Sequence, residues 1–196
     1  MRHLLIWVLG LALLGCETEE RTKGDSLFNN GEYKEAVVAY NDYLKLHPSH
    51  VKSIYNRGRS YEELGQFENA FKDFEAVLEI DKKNTSALLS LSKYYYREHN
   101  FNKSLYYAEL AVKENENLAE GQFWLGRAQH QLGLFSEALI AYNNAINLDR
   151  ELGEAYLYRG AIKMQGDRKK SACADFKSAK DLGVKEAESA QKKYCM

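Results

Sequence analysis

Beyond residue 16 the chain alternates amphipathic stretches with short polar breaks. Within a stretch the apolar residues recur four and seven positions apart, as in Ala36, Tyr40 and Tyr43, Ala70, Phe74 and Val77, or Ala138, Tyr142 and Ala145. That period predicts helices, not strands. Breaks of one kind, Asn29-Asn30-Gly31, Leu64-Gly65-Gln66, His99-Asn100 and Leu132-Gly133-Leu134, split each unit into two helices. Breaks of a second kind, His47-Pro48-Ser49, Asp81-Lys82-Lys83-Asn84, Asn115-Glu116-Asn117 and Leu148-Asp149-Arg150, separate the units.

The units repeat every 34 residues. Ala36, Ala70, Ser104, Ala138 and Ala172 form one column, and Gly24, Gly58, Ser92, Gly126 and Gly160 form another twelve positions earlier. Tyr33, Phe67, Phe101 and Phe135 lie three before the Ala column, with Lys169 in the last unit; Tyr40, Phe74, Ala108, Tyr142 and Phe176 lie four after it. A small residue in each helix permits close helix contact, and the aromatics on the same face fill the gap between helices. Gly costs about 1 kcal/mol inside a helix, so a packing gain must offset it. These columns resemble the tetratricopeptide repeat, and the resemblance covers residues 17–184. It implies an all-α solenoid of five helix-turn-helix repeats, 17–50, 51–84, 85–118, 119–152 and 153–184, closed by a polar capping helix over 185–196. Repeat three, with Ser92, Ser104 and Ala108 at the key columns, is expected to pack most loosely. Repeat five departs at Lys163 and Lys169, where apolar groups are expected.

The first residues follow another pattern. Met1-Arg2-His3 is a short positive start, Leu4 to Leu14 an apolar run of 11 residues, and Gly15-Cys16 follows. This is signal-peptide architecture. The run is too short to span a membrane as a helix, which takes about 20 residues. Leu13-Leu14-Gly15-Cys16 resembles the bacterial lipobox, which implies removal of residues 1–15, lipidation of Cys16, and a short tether over 16–22 merging into the first helix. The alternatives are an ordinary cleaved signal with a chance cysteine, or an uncleaved short anchor. Several acyl chains on one residue anchor stably, where one is marginal. Residue 17 is Glu and not the Asp that retains such proteins at the inner membrane, which favours the outer membrane.

Composition adds exclusions. Lys and Arg number 27 against 28 Asp and Glu, so no basic excess exists for bulk nucleic-acid binding. With 45% hydrophobic residues the chain is not disordered. Besides Cys16 there are two cysteines, Cys173 in repeat five and Cys195 in the cap; in an oxidising compartment they form either a disulfide that staples the cap or two free thiols.

No phosphate loop, nucleophile elbow or zinc helix is present, so no catalytic residue, cofactor or metal is expected. His47 and His50 read as solvated loop histidines, not as metal ligands, and Glu62-Glu63 as a solvated face. In proteins of this repeat type the first helices line a concave groove with ligand-facing positions recurring once per repeat. One such column is Asp25, Arg59, Lys93, Arg127 and Ala161; four residues earlier stand Arg21, Tyr55, Leu89, Phe123 and Leu157, and a third column is Phe28, Glu62, Tyr96, His130 and Met164. The carboxylate-clamp pattern of chaperone-binding repeats is not matched. The columns point to a groove for a peptide or protein segment with acidic and apolar side chains, the cations steering and the aromatics anchoring. The bland alternative is that Arg59, Lys93 and Arg127 pair with glutamates and keep the face soluble.

Together these readings describe a non-catalytic interaction scaffold, lipid-anchored in the bacterial envelope, that gathers protein partners. The other class is a structural or glycan-binding envelope protein. A glycan site would cluster Tyr55, Tyr96, Phe123 and Trp124 without cations, whereas a peptide groove would interleave the two.

Overall fold

The computed structural model describes residues 22–195. The expected signal peptide, Cys16 and Arg21 lie outside the described residues. Eleven helices follow one another: α1 (Lys23–Asn29), α2 (Tyr33–Leu46), α3 (Val51–Glu63), α4 (Phe67–Ile80), α5 (Thr85–Arg97), α6 (Phe101–Glu114), α7 (Ala119–Gln131), α8 (Phe135–Leu148), α9 (Gly153–Gln165), α10 (Lys169–Asp181) and α11 (Lys185–Cys195). They pair as five hairpins, each packed on the next, with α11 laid on α10 as the cap. No helix among the described residues is long and apolar enough to cross a membrane.

Helix boundaries follow local chemistry. Thr22 caps α1 in a reciprocal box with Asp25, while Asn84 and Asn100 cap α5 and α6 through their side chains. His50 caps α3, its ring nitrogen accepting from the Ser53 backbone N–H at 3.2 Å, and the ring meets Tyr43 edge-on. The histidine read as a solvated loop residue is therefore a helix cap. The turn inside each hairpin has a left-handed residue at one register position: Gly31, Gly65, His99, Gly133 and Asp167. Two of the five are not glycine, which hid this column in the sequence.

The core is the two columns of small residues and the aromatics that meet them. Ala36, Ala138 and Ala172 are fully buried. A methyl on Gly58 would lie 2.7 Å from the Phe74 ring, and one on Gly126 would lie 2.8 Å from the ring of Tyr142. The glycines are thus obligatory wherever an aromatic stands opposite. Repeat three corrects the expectation of loose packing. There Ala108 replaces the aromatic, Ser92 takes the freed space, and its hydroxyl donates to the Ser104 carbonyl at 2.9 Å. Ser92, Ser104 and Ala108 are all fully buried. The substitutions compensate one another.

Lys163 is likewise no defect. It bonds Asp175 at 2.7 Å beside Arg159, whose Nε and Nη2 reach the same carboxylate at 3.0 and 2.7 Å. Cys173 and Cys195 are joined as a disulfide with Cα atoms 5.7 Å apart, tying α11 to α10. The open choice between bridge and free thiols closes on the bridge.

Candidate functional site

The cation column sits on the first helix of each hairpin, but its members do different jobs. Asp25 is buried; it accepts from the Tyr40 hydroxyl at 2.8 Å and from Asn56 Nδ2 at 2.9 Å, besides closing the α1 cap. It is a structural residue. Burial would raise its carboxyl, but the bonds from Tyr40, Asn56 and the Thr22 N–H, with the Lys52 charge, hold it below the usual 3.8. A depressed folded value means that the stabilisation is present above the unfolded value and lost as pH falls through the folded one. Asp25→Asn is therefore expected to cost about 1–2 kcal/mol at neutral pH and less in acid, read from urea midpoints across the acid range. An equal loss at both ends would show that charge is not involved.

Arg59 turns to Glu62 and Glu63 of its own helix, at 3.1 and 3.9 Å. Burial raises the Glu62 carboxyl above its usual value, against the opposing charges of Arg59, Lys93 and Arg97. Lys93 bridges from α5 to Glu120 of α7, its ammonium 5.9 Å from the centre of the Trp124 ring. Two rungs of the ladder are thus paired with glutamates, as the bland alternative holds.

Arg127 is different. Among the described residues no carboxylate pairs with it. Its guanidinium lies 4.0 Å from the Tyr158 ring centre and 4.6 Å from that of Tyr96, with Trp124 at 5.5 Å and Phe123 at 5.6 Å. Its Nε and Nη2 donate to the Tyr96 hydroxyl oxygen at 3.2 and 2.8 Å, and Gln131 Nε2 donates to the same atom at 3.0 Å. A guanidinium on aromatic faces keeps its full charge while its carbon plane is covered. Beneath it the Tyr142 hydroxyl is buried without a partner. The register explains this: Tyr142 matches Tyr40, but where Tyr40 finds Asp25 the fourth repeat has Arg127, which offers no acceptor.

The remaining column residues divide. Leu89 and Phe123 are only 6% and 2% exposed; they belong to the core and cannot anchor a partner directly, a correction to the groove as read from the sequence. Helix α7 turns Phe123 inward because it must fill the space against Tyr142 and Tyr158. Tyr55 is half-buried against Phe74, apart from the Arg127 cluster. Tyr96 meets Trp124 edge-on at 5.4 Å, and His130 meets Phe135 at 5.7 Å. Burial and the Arg127 charge both depress the His130 imidazole, so it is neutral at neutral pH. Cation and ring are interleaved on α5, α7 and α9.

Tyr158 escaped the sequence reading, and Trp124 entered it only as a member of a glycan cluster. Tyr158 and Trp124 share a register position with Asn56 and Ser90, so no recurring aromatic flags them. Arg97 lies over the Phe67 ring, 3.2 Å from its centre, with Nη1 buried and unpartnered. No group of His, Cys, Asp and Glu among the described residues has the arrangement of a metal site.

The architecture is an all-helical solenoid of 34-residue hairpins carrying a strip of cations and rings along its first helices. Residues 21–85 match one tetratricopeptide repeat model and residues 119–152 a second. The chain is a protein built of tetratricopeptide repeats. Human sperm-associated antigen 1 is 39% identical over 72 residues, which is 37% of this chain but 8% of that protein. Hsp70-Hsp90 organizing protein 3 of Arabidopsis thaliana is 37% identical over 67 residues, 34% of this chain and 12% of that one. The chain thus spans a small part of the length of these relatives. Among solved structures, MamA superposes with a TM-score of 0.74 at 21% identity, over 86% of this chain and 99% of that one. YrrB, described as a TPR protein with an unusual peptide-binding site, gives 0.70 at 23%, over 86% and 88%. At such identities these likenesses show the fold.

Proposed function

We propose that the chain is a non-catalytic interaction scaffold, anchored to the bacterial envelope through Cys16 and holding peptide or protein segments along the strip on α5, α7 and α9. The observation that carries the groove reading is Arg127, a guanidinium with no carboxylate partner among the described residues, set among Tyr96, Trp124 and Tyr158. A partner carboxylate can take its free donor edge, and the half-buried rings supply apolar contact. Lys93 and Arg59 continue the positive strip once an incoming acidic segment competes with Glu120, Glu62 and Glu63. Interleaving of cations and rings favours this over a glycan platform.

Crosslinking in the native envelope, followed by capture and mass spectrometry, tests the proposal. Partner recovery is expected to fall about tenfold when Arg59, Lys93 and Arg127 are all changed to Glu. Unchanged recovery would sink the groove. The anchor is tested separately: Cys16→Ala is expected to abolish palmitate labelling and move the protein out of the membrane fraction. Labelling that persists would exclude Cys16 as the lipidated residue.

A further inference from the structure

One slot recurs in the hairpins, between the first helix, the second helix and the hairpin before. In repeat two it is filled by Arg57, which donates through Nε and Nη2 to Asp73 at 2.9 and 2.6 Å and through Nη1 to Asn41 of α2 at 2.7 Å. In repeat five Arg159 does the same with Asp175 and with Asn143 of α8, the latter at 2.7 Å. In repeat three the slot is closed by Tyr95 stacked on Tyr107, centroids 5.4 Å apart and planes 7° apart. Repeat four has Leu125, Gln129 and Ala141 at these positions, and the slot is open. It forms a cavity of about 220 Å³ that continues, past Gln122 and Asn144, into one of about 450 Å³ reaching α6 at Val112 and the turn after it at Glu116.

The opening is polar where the others are filled. Gln129 Oε1 is buried and has no donor. Gln122 is 7% exposed, and among the described residues its side chain meets only Asn144, at 3.5 Å. A buried carboxamide oxygen without a donor is rare, and that of Gln129 needs an N–H. A carboxamide presents a donor and an acceptor side by side, as a peptide unit does, so Gln122, Gln129 and Asn144, with Asn117 and Asn147 further along the trough, match the backbone of an extended chain. On α8 the trough runs from Glu137 to Leu148, about 16 Å at 1.5 Å per residue, which accommodates about five extended residues. Ile140, 61% exposed, gives it an apolar shoulder. Its charged lining residues are Glu116 and Glu137, towards its two ends, and neither Lys, Arg nor an aromatic ring lines it. Without a ring it has no face for a sugar.

We infer that this trough is a second binding site, which takes an extended segment of about five residues from a partner protein. The carboxamides of Gln122, Gln129 and Asn144 hold the segment's backbone, and Glu116 and Glu137 receive basic side chains towards its ends. On helix α7 Gln129 stands roughly 200° from Arg127, at 100° per residue, so the trough is distinct from the strip on α5, α7 and α9. The two sites select opposite charge.

The test is selection from a phage-displayed library of random heptapeptides on the full chain purified in detergent, with recovered peptides measured by fluorescence anisotropy. Peptides carrying Lys or Arg near their ends are expected, bound about tenfold more weakly by Gln129→Leu and by Ala141→Tyr, and unaffected by Arg127→Glu. Ala141→Tyr copies the residue that closes the slot in repeat three; Gln129→Leu keeps the side-chain size and serves if the tyrosine disturbs folding. Recovery of no peptide, of peptides without basic residues, or of peptides that both slot variants still bind would overturn the trough. Peptides released only by Arg127→Glu would overturn it while leaving the groove standing. Basic peptides lost only from the slot variants would establish the trough whatever becomes of the groove.

Discussion

Asp175→Ala is expected to lower the stability of the protein by roughly 3 kcal/mol, because it strands two cations instead of one. The carboxylate is 5% exposed and receives Arg159 and Lys163 together, whose side chains are 15% and 17% exposed. Among the described residues neither cation has another carboxylate in place, and Arg159 also bonds Asn143 of the preceding repeat. The loss should appear as a lower denaturant midpoint. By contrast Asp42→Ala, which breaks an open pair with Lys45 on the surface of α2, should change little. A loss below about 1 kcal/mol at Asp175 would mean that both cations swing out to water. In repeat two Asp73 holds Arg57 alone: burial lifts the Asp73 carboxyl above its usual value, while the bond to Asp73 raises the Arg57 guanidinium, and removing Asp73 strands one cation where removing Asp175 strands two.

The second large effect is at the cap. The Cys173–Cys195 bridge closes 22 residues and holds α11 against α10. Cys195→Ser is expected to cost about 3 kcal/mol through the freedom restored to the unfolded chain. A solenoid is stable as a sum of local interfaces, so the loss should fall on its last units. Hydrogen exchange is expected to rise in α11 first and in α10 next, with α3 to α8 unchanged. Uniform loss of protection along the chain would show instead that the array unfolds as one body. The bridge matters because α11 has a short apolar face: Ala187 is its one buried residue, and Tyr194, stacked on Phe176, is still 38% exposed.

The groove and the trough depend on the same register in opposite ways. Arg127 was visible as a column member, yet its value lies in what does not pair with it. Leu89 and Phe123 occupy the next column and look equivalent to Tyr55, but they are swallowed by the core because α7 rotates Phe123 onto Tyr142. The trough was invisible for a converse reason. Gln122, Gln129 and Asn144 share no motif, and only the comparison with Arg57, Tyr95 and Arg159 in neighbouring hairpins shows that their slot is unfilled.

Periodicity alone determined the repeat length, the number of hairpins, the helix pairs and the cap, since a 34-residue recurrence of Gly, Ala and aromatic positions has one economical packing. The alternation of helices and breaks from residue 23 onward follows from local patterning, which acts within a few residues along the chain. What the tertiary structure decided is pairing across helices. It turned Asp25 into the partner of Tyr40 and left Tyr142 without one. It joined Cys173 to Cys195, and Lys163 to Asp175. It also made Ser92 a fit for Ala108. Each outcome depends on a side chain 12 or more positions away, brought near by the turn of a hairpin, and no local rule reaches that far.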